Sequence, residues 1–455
     1  MQRAGAWTSV WSPITLARSA AILRKLGYEA RIVDGTVEDV TFDGLERQAS
    51  EWRPDLVLFN AVTPSFLEDL KTPAVVKRGA PGAAVACFSI HATVMPEYAF
   101  EKSPGLDAIV RGEPEETVRE IGEAVAASAF DSSAARGRIR GLSWRDGEGR
   151  VRHNPDRAFI ADLDSLPHPA WDLVDVRHYR MPVTYNPFLL VGAGRGCPIS
   201  CTFCVAKPYY GADLRYPSVR YTVDEMERNL ALHGVEEALF WSESYTINRS
   251  FALGVAREMR RRRLPIRWVC NSRVTDVDEE LLAEFKAAGC MMIGFGVESG
   301  NQEILDSMRK AITLEEIRRA FRITREAGIE TVSHTQVGYP GESEETIRRT
   351  VDFVKEIDPD YPQFYCTTPL PGTPLYPVAK SKGWINTDDW RRFEQNYSVL
   401  DLPGLPAERV MRLRRWAYRS YYLRPRAIAR QLGKIKSLGD VRDFAFAVGR
   451  FLSWV

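Results

Sequence analysis

The chain lacks any run of eighteen or more apolar residues, and no basic stretch leads into an apolar one at its front. The first absence excludes a membrane-spanning helix on sequence grounds and the second a secretory signal, so a soluble or peripheral protein is expected. Cysteine is scarce: seven in 455 residues are too few for a disulfide framework. Histidine is rarer still, at six, and none lies near the one place where cysteines cluster. A net charge of +1 offers no overall field for nucleic acid. That balance is uneven, because from residue 411 to the end eleven Lys or Arg face two Asp.

What is present is concentrated in Gly194-Arg195-Gly196-Cys197-Pro198-Ile199-Ser200-Cys201-Thr202-Phe203-Cys204. Three cysteines at C-x3-C-x2-C spacing follow the apolar run 188–191, which predicts a strand delivering them at its C-terminal end. Glycines at 192, 194 and 196 let the backbone wrap closely around a ligand. Thiolates suit zinc or an iron-sulfur cluster, and a structural zinc site would need a fourth ligand that the neighbourhood does not supply. Three ligands on a four-iron cluster leave one iron open. The other cysteines, Cys87, Cys270, Cys290 and Cys366, lie in apolar strand-like runs and are expected to be buried core. A ligated cluster requires reduced thiols, which points to the cytoplasm.

Residues 1–130 alternate helical and strand patterns: a helix over 14–26, strands over 29–33, 56–62, 83–90 and 107–111, and a helix over 115–126. The rhythm predicts an α/β, doubly wound, Rossmann-like sheet with ligands at its strand C-termini. Residues 1–12 offer no convincing strand, so either the sheet is one strand short or the chain starts at an internal point. Residues 131–186 read as a connector with a hairpin that turns at Asp146-Gly147. Residues 187–386 add five further strands, at 238–243, 266–273, 291–299, 331–339 and 363–368. Helical patterns at 222–233, 249–261, 279–288, 314–327 and 345–357 separate them, giving six β/α units, a partial (β/α)6 barrel. Residues 387–455 read as a basic helical cap, with amphipathic stretches at 410–419 and 444–454. Its arginines and aromatics suit a membrane surface, a lipid-like substrate, or snorkelling over the barrel, in preference to nucleic acid.

The loop at 194–204 resembles the signature of the radical S-adenosylmethionine (SAM) enzymes, whose open iron is chelated by the amino and carboxylate groups of SAM. Phe203 matches the aromatic that usually precedes the third cysteine. Segments 12–16, 90–97 and 110–115 resemble the cobalamin-binding domain that precedes many radical SAM cores, and 163–169 resembles the approach into the core. The best-known form of that domain carries D-x-H-x-x-G. Around His91 this chain has Ser89 in place of the Asp and Val94 in place of the Gly, so cobalamin is expected without a protein His ligand. Within the family the nearest resemblance is to the group of the anaerobic magnesium-protoporphyrin monomethyl ester cyclase and the hopanoid-modifying enzymes.

The resemblance implies that Cys197, Cys201 and Cys204 hold a 4Fe-4S cluster. It implies that Glu243, or its neighbours Ser242 and Ser244, accepts from the SAM amino group, although the common Asp-Asp pair is absent there. It places Glu298 on the ribose hydroxyls with Ser299 beside it, and Gly338 in a turn whose backbone reads adenine. Arg273 either faces the SAM carboxylate or substrate, or braces Glu298, and His334 is either a proton donor or a core histidine. The implied activity takes one electron from an external flavodoxin- or ferredoxin-type donor, cleaves SAM, and abstracts hydrogen from an unactivated carbon of a small molecule. With cobalamin the expected outcome is C-methylation; the alternative is oxidative cyclisation or rearrangement. An iron-sulfur electron carrier or sensor is the reading from another class, and it leaves Glu243 and Glu298 without purpose.

Overall fold

Strand-like runs in the two halves of the sequence build two separate sheets in the computed structural model, which describes residues 10–433. The first sheet orders its strands β1 (Leu56–Asn60), β2 (Ala84–Phe88), β3 (Ala108–Val110), β4 (Leu142–Arg145) and β5 (Val151–His153) side by side. The first three are parallel and the last two form an antiparallel hairpin. Strand β2 is buried along its whole length because apolar layers cover both faces, Phe66, Val76 and Phe100 on one and Ile121, Phe130 and Trp144 on the other. Two-sided burial is why its sequence is continuously apolar rather than alternating.

The hairpin turns where Asp146 was expected to turn it, the carboxylate accepting from the backbone N–H groups of Glu148 and Arg150. Because β4 pairs with β3, the hairpin extends the N-terminal sheet and makes it mixed rather than wholly parallel. The strand expected over 29–33 does not form. Its natural neighbour in a doubly wound sheet is a strand ahead of the first helix, and residues 1–9, where such a strand would begin, lie outside the described part. Helix α1 (Ile14–Lys25) instead wedges between the two sheets. It packs on α2 (Glu115–Ala126), where a Cβ on Gly122 would lie 2.7 Å from Leu23, and it sends Ile14 and Ala17 into the second sheet.

The second sheet runs β6 (Phe188–Gly192), β7 (Glu237–Trp241), β8 (Arg267–Ser272), β9 (Cys290–Glu298), β10 (Glu330–Val337) and β11 (Tyr361–Cys366). All are parallel and each neighbours the next in sequence. The connecting helices are α3 (Val219–His233), α4 (Arg249–Arg262), α5 (Glu279–Ala287), α6 (Leu314–Glu326) and α7 (Glu344–Ile357). Their starts are set by side-chain caps from Ser218, Asn248, Asp278, Thr313 and Ser343. One face of the strands sends Phe240, Trp268, Ile293 and Phe295 to the helices. The other sends Leu190, Leu239 and Val269 to an apolar plug with Tyr179, Met181 and Met292. Cys87, Cys270, Cys290 and Cys366 are all buried, as their apolar settings suggested.

The amphipathic pattern at 410–419 belongs to a longer helix, α8 (Ala407–Tyr422), whose Val410, Leu413, Ala417 and Tyr421 are buried. It lies on the edge strand β11, where Tyr418 accepts from Phe364 N–H and Arg414 donates to the Phe364 carbonyl. That apolar face is therefore consumed by the core rather than offered to a membrane. Part of the basic excess beyond residue 411 is spent on the fold as well, since the largely covered Arg424 and Arg430 pair with buried Asp358, and the exposed Arg426 reaches the same carboxylate. The stretch 444–454 lies outside the described residues. Among those described, no helix is long and apolar enough to cross a membrane.

Candidate functional site

The cysteine loop leaves β6 through two backbone positions that a side chain would obstruct. Gly194 has φ +143° and an added Cβ would meet the Tyr216 ring at 2.8 Å; Gly196 has φ +90° and its Cβ would fall 2.1 Å from the Asp213 carbonyl. The first half of the loop is then bridged to 211–215. Arg195 and Arg215 exchange backbone hydrogen bonds of 2.9 Å, and Cys197 N–H donates to the Gly211 carbonyl at 3.1 Å. The second half is tied to the barrel. Thr202 N–H donates to Met308, its carbonyl accepts from Leu375, and its hydroxyl shares a 2.7 Å hydrogen bond with Tyr339.

The three thiols on this loop are partly buried and free of disulfides. Burial pushes Cys201 up to about 11, against the pull of Lys310, and raises Cys204 against the Ala206 N–H and Lys310. A metal replaces the proton on such a thiol. Among the described residues no three His, Cys, Asp or Glu side chains converge on a single ion position. Three partly buried thiols on one loop are a donor set that fits a cluster taking each thiolate on a different iron.

Across from the loop, Glu298 ends β9 with φ +63°, a strained conformation for a residue with a side chain. Its Oε1 accepts from Lys310 Nζ at 2.7 Å and its Oε2 from Gln336 Nε2 at 2.8 Å. Gly296 makes room for this pair, since a Cβ there would lie 2.5 Å from Lys310 Nζ. Burial works against the Lys310 charge, but Glu298 and Cys201 more than offset it and raise its pKa. Arg273 does not brace Glu298. Its guanidinium donates to the carbonyls of Lys310 (3.1 Å) and Ala311 (2.9 Å), holding a turn in which Arg309 and Ala311 both have positive φ. Ser299 is turned toward α7, its hydroxyl 3.3 Å from Thr350 Oγ1.

Glu243 follows β7 on the side of the loop that faces the N-terminal sheet. It lines a cavity of about 40 Å³ with Arg18, Glu115, Arg195 and Tyr210. Burial pushes its carboxyl up to about 7 against the pull of Arg195 and Arg215, and its Oε2 has no hydrogen-bond partner. Ser244 points instead toward Asp276, at 3.5 Å. Gly338 N–H is engaged by Glu342 Oε2 at 2.7 Å, and a Cβ on Gly338 would meet Val410 at 2.9 Å. His334 bonds Gln363 through Nδ1 (3.0 Å) and contacts Asn271 through Nε2 (3.3 Å), and burial lowers its pKa.

At the C-terminal edge of the first sheet, Val62 and Val94 are exposed and Gly112 has positive φ. His91 is stacked on Phe66 at 3.8 Å with Trp390 edge-on at 4.5 Å, and neither ring nitrogen has a hydrogen-bond partner. Burial pushes it down to about 4. It is a core ring, so this edge offers cobalamin an apolar shelf without an outward-facing His.

The Radical SAM superfamily pattern matches residues 191–354 and the B12 binding domain pattern matches residues 5–122. An uncharacterized methyltransferase of Pyrococcus horikoshii is 30% identical over 424 residues, spanning 92% of this chain and 90% of that protein. The chain belongs to the B12-binding radical SAM proteins. The cofactors of this family are a 4Fe-4S cluster, SAM and cobalamin. The anaerobic magnesium-protoporphyrin IX monomethyl ester cyclase of Cereibacter sphaeroides is 33% identical over 82% of this chain, which spans 60% of that enzyme. Among solved structures, the radical SAM methyltransferase TsrM from Kitasatospora setae with cobalamin and a [4Fe-4S] cluster bound has the same fold. Its TM-score is 0.74 at 20% identity, over 97% of each chain.

In this B12-binding radical SAM protein, two features of the site escaped the sequence reading. Lys310 comes from a short turn with no periodicity to flag it, and only the structure shows the positive φ of Arg309 and Ala311 on either side. The buried acids Glu113 and Glu115 were quoted for their resemblance, but their pairing with Arg195 of the cysteine loop spans 80 residues or more.

Proposed function

We propose that this enzyme is a cobalamin-dependent C-methyltransferase acting on an unactivated carbon of a small molecule. The observation that carries the reading is the direct junction between the two sites. The acids that follow β3 of the B12 domain pair with Arg195 of the cysteine loop, so the C-terminal edges of the two sheets face a common space. Methyl transfer needs that adjacency. The relative matched along nearly its whole length is also named a methyltransferase.

In this reading Cys197, Cys201 and Cys204 ligate the cluster and Glu298 receives the ribose hydroxyls of SAM, giving up part of its bond to Gln336. Lys310, held by Arg273, supplies positive charge to the SAM carboxylate. Glu243 accepts from the SAM ammonium, and the 338–342 turn shapes the adenine end with Ser299 fixing the strand behind it. Loaded, the cofactors supply one-electron cleavage of SAM, hydrogen abstraction and the methyl group, with an external one-electron donor of flavodoxin or ferredoxin type. The protein binds, orients and excludes water. Asn271, His334 and Gln363 give the substrate's polar groups donors and acceptors inside the barrel.

The test is anaerobic reconstitution with iron and sulfide, followed by dithionite, hydroxocobalamin, SAM labelled in its methyl group, and a small-molecule extract. Release of 5'-deoxyadenosine with label in a new product supports the reading. Deoxyadenosine with an unlabelled, oxidised product means cyclisation instead. No deoxyadenosine means an electron carrier. Cys201→Ala removes a ligand and is expected to abolish both cluster uptake and SAM cleavage.

A further inference from the structure

The two halves of the cysteine loop are anchored to different bodies. The second half, around Thr202, is held by Met308, Tyr339 and Leu375 of the barrel. The first half, around Arg195 and Cys197, is bridged to 211–215, and the side-chain anchors of that bridge run to the N-terminal domain. Arg195 is gripped by both oxygens of Glu115, with Nη1 3.1 Å from Oε2, and stands 3.3 Å from Glu113. Arg215 binds Glu113 at 2.7 Å and donates to the carbonyls of Ile160 and Tyr210 at 2.8 Å each. Gly211, which receives the Cys197 N–H, is packed so closely on Phe159 that a Cβ would lie 2.5 Å away.

These four charges are almost completely shielded, the two carboxylates having 3% and 2% of their side-chain surface exposed. Buried ion pairs of this kind add little net stability, because desolvation offsets attraction, and their attested use is to fix a register. A fork of two parallel N–H to oxygen bonds also fixes an angle, which a single charge contact would not. One residue, Gly196, separates Arg195 from the first cluster ligand. Two other residues separate Glu115 from Gly112 at the strand edge of the B12 domain.

We infer that Arg195 is a positioning residue that makes the first cluster ligand and the C-terminal edge of the B12 domain one mechanical and electrostatic unit, with Glu115 as its counterpart. The inference rests on the family's cluster site and not on whether the product is methylated. Removing Glu115's charge leaves an excess positive charge beside the loop, which favours the reduced cluster. Removing Arg195's charge leaves an excess negative one, which favours the oxidised cluster.

The experiment is an EPR-monitored redox titration of the full-length, anaerobically reconstituted protein at fixed pH, for wild type, Glu115→Gln, Arg195→Gln and Arg195→Lys. Opposite shifts are expected, upward for Glu115→Gln and downward for Arg195→Gln, each of at least tenfold in the reduction equilibrium, or about 59 mV for one electron. Arg195→Lys keeps the charge but not the fork. It is expected to hold the wild-type potential while losing part of the change in EPR line shape that SAM produces. Unchanged potentials, or shifts in the same direction, with only a lower melting temperature, would show a merely structural tie and overturn the inference. Should Arg195→Gln take up no iron, Glu115→Gln decides alone: an upward shift supports the inference and an unchanged or lowered potential overturns it. If Glu115→Gln loads no cluster while its apo-protein keeps wild-type circular dichroism, the coupling is shown directly.

Discussion

Glu298 and Glu243 stand at the ends of two strands of the same sheet, the first buried and the second half-buried with its Oε2 shielded, yet the protein treats them oppositely. Glu298 has both oxygens engaged, one by Lys310 and one by Gln336. Glu243 has an oxygen with no partner, and burial holds its carboxyl near neutrality at about 7. The first is a charge whose desolvation the fold has already compensated. The second has Arg195 and Arg215 near enough to pull on it but no donor on Oε2, which leaves that oxygen open to a ligand's donor. A cofactor that brings both hydroxyls and an ammonium would exchange contacts at Glu298 and complete them at Glu243.

The largest effect that tests this contrast comes from Glu298→Ala. The substitution strands the Lys310 ammonium in a site with no other carboxylate bonded to it, and breaking a buried pair in this way costs about 3–5 kcal/mol. Chemical denaturation of the apo-protein should show the loss, and Lys310→Met in the same chain should recover most of it. A Glu298→Ala variant no less stable than Glu243→Ala would break the comparison.

A smaller effect is expected from pH. Glu243 has a folded pKa raised from 4.5 to about 7, so the folded state holds a proton that the unfolded state has lost between those values. The contribution is fully present below the unfolded value and is lost as pH rises through the folded one. Stability should therefore fall between about pH 4.5 and 7, and Glu243→Gln should flatten that fall by up to about 3 kcal/mol. Glu342, also pushed up to about 7 by burial, adds a parallel slope. The contrast sharpens on adding SAM to the reconstituted protein: its ammonium should remove the Glu243 share of the slope and leave that of Glu342. If SAM leaves the slope of the wild type and of Glu342→Gln unchanged, Glu243 does not face the ammonium.

Most of the frame was legible in the sequence for identifiable reasons. The six barrel strands are apolar because their outer faces pack on helices, and Ser218, Asn248, Asp278, Thr313 and Ser343 mark where those helices begin. The hairpin announced itself through Asp146-Gly147. The strand over 29–33 was misread because apolar alternation says nothing about whether a neighbour exists to complete the ladder. The pattern at 410–419 left a membrane surface, a lipid-like substrate and a cap over the barrel open for a related reason: amphipathicity shows that a face is buried, not against what, and here the cover is β11. At the site, single-loop features were readable, but Glu298 to Lys310, Arg195 to Glu115 and Arg273 to the 310–311 carbonyls are contacts across elements with no local signature.

The smallest expected effect concerns Arg273, whose role separates positioning from direct contact. Its two hydrogen bonds to the carbonyls of Lys310 and Ala311 hold a turn flanked by two residues of positive φ, and that turn aims the Lys310 ammonium at Glu298. Arg273→Lys keeps the charge but cannot reach both carbonyls with a planar fork. The loss of one such hydrogen bond is worth about 1 kcal/mol, so a modest fall in melting temperature is expected together with about fivefold weaker SAM binding by calorimetry. Because the Glu298 to Lys310 pair would survive, the pH slope of Glu243 should stay as in the wild type. If instead SAM binding is abolished while stability is unchanged, Arg273 touches SAM itself, and the charge assigned to Lys310 belongs to Arg273 at the end of β8.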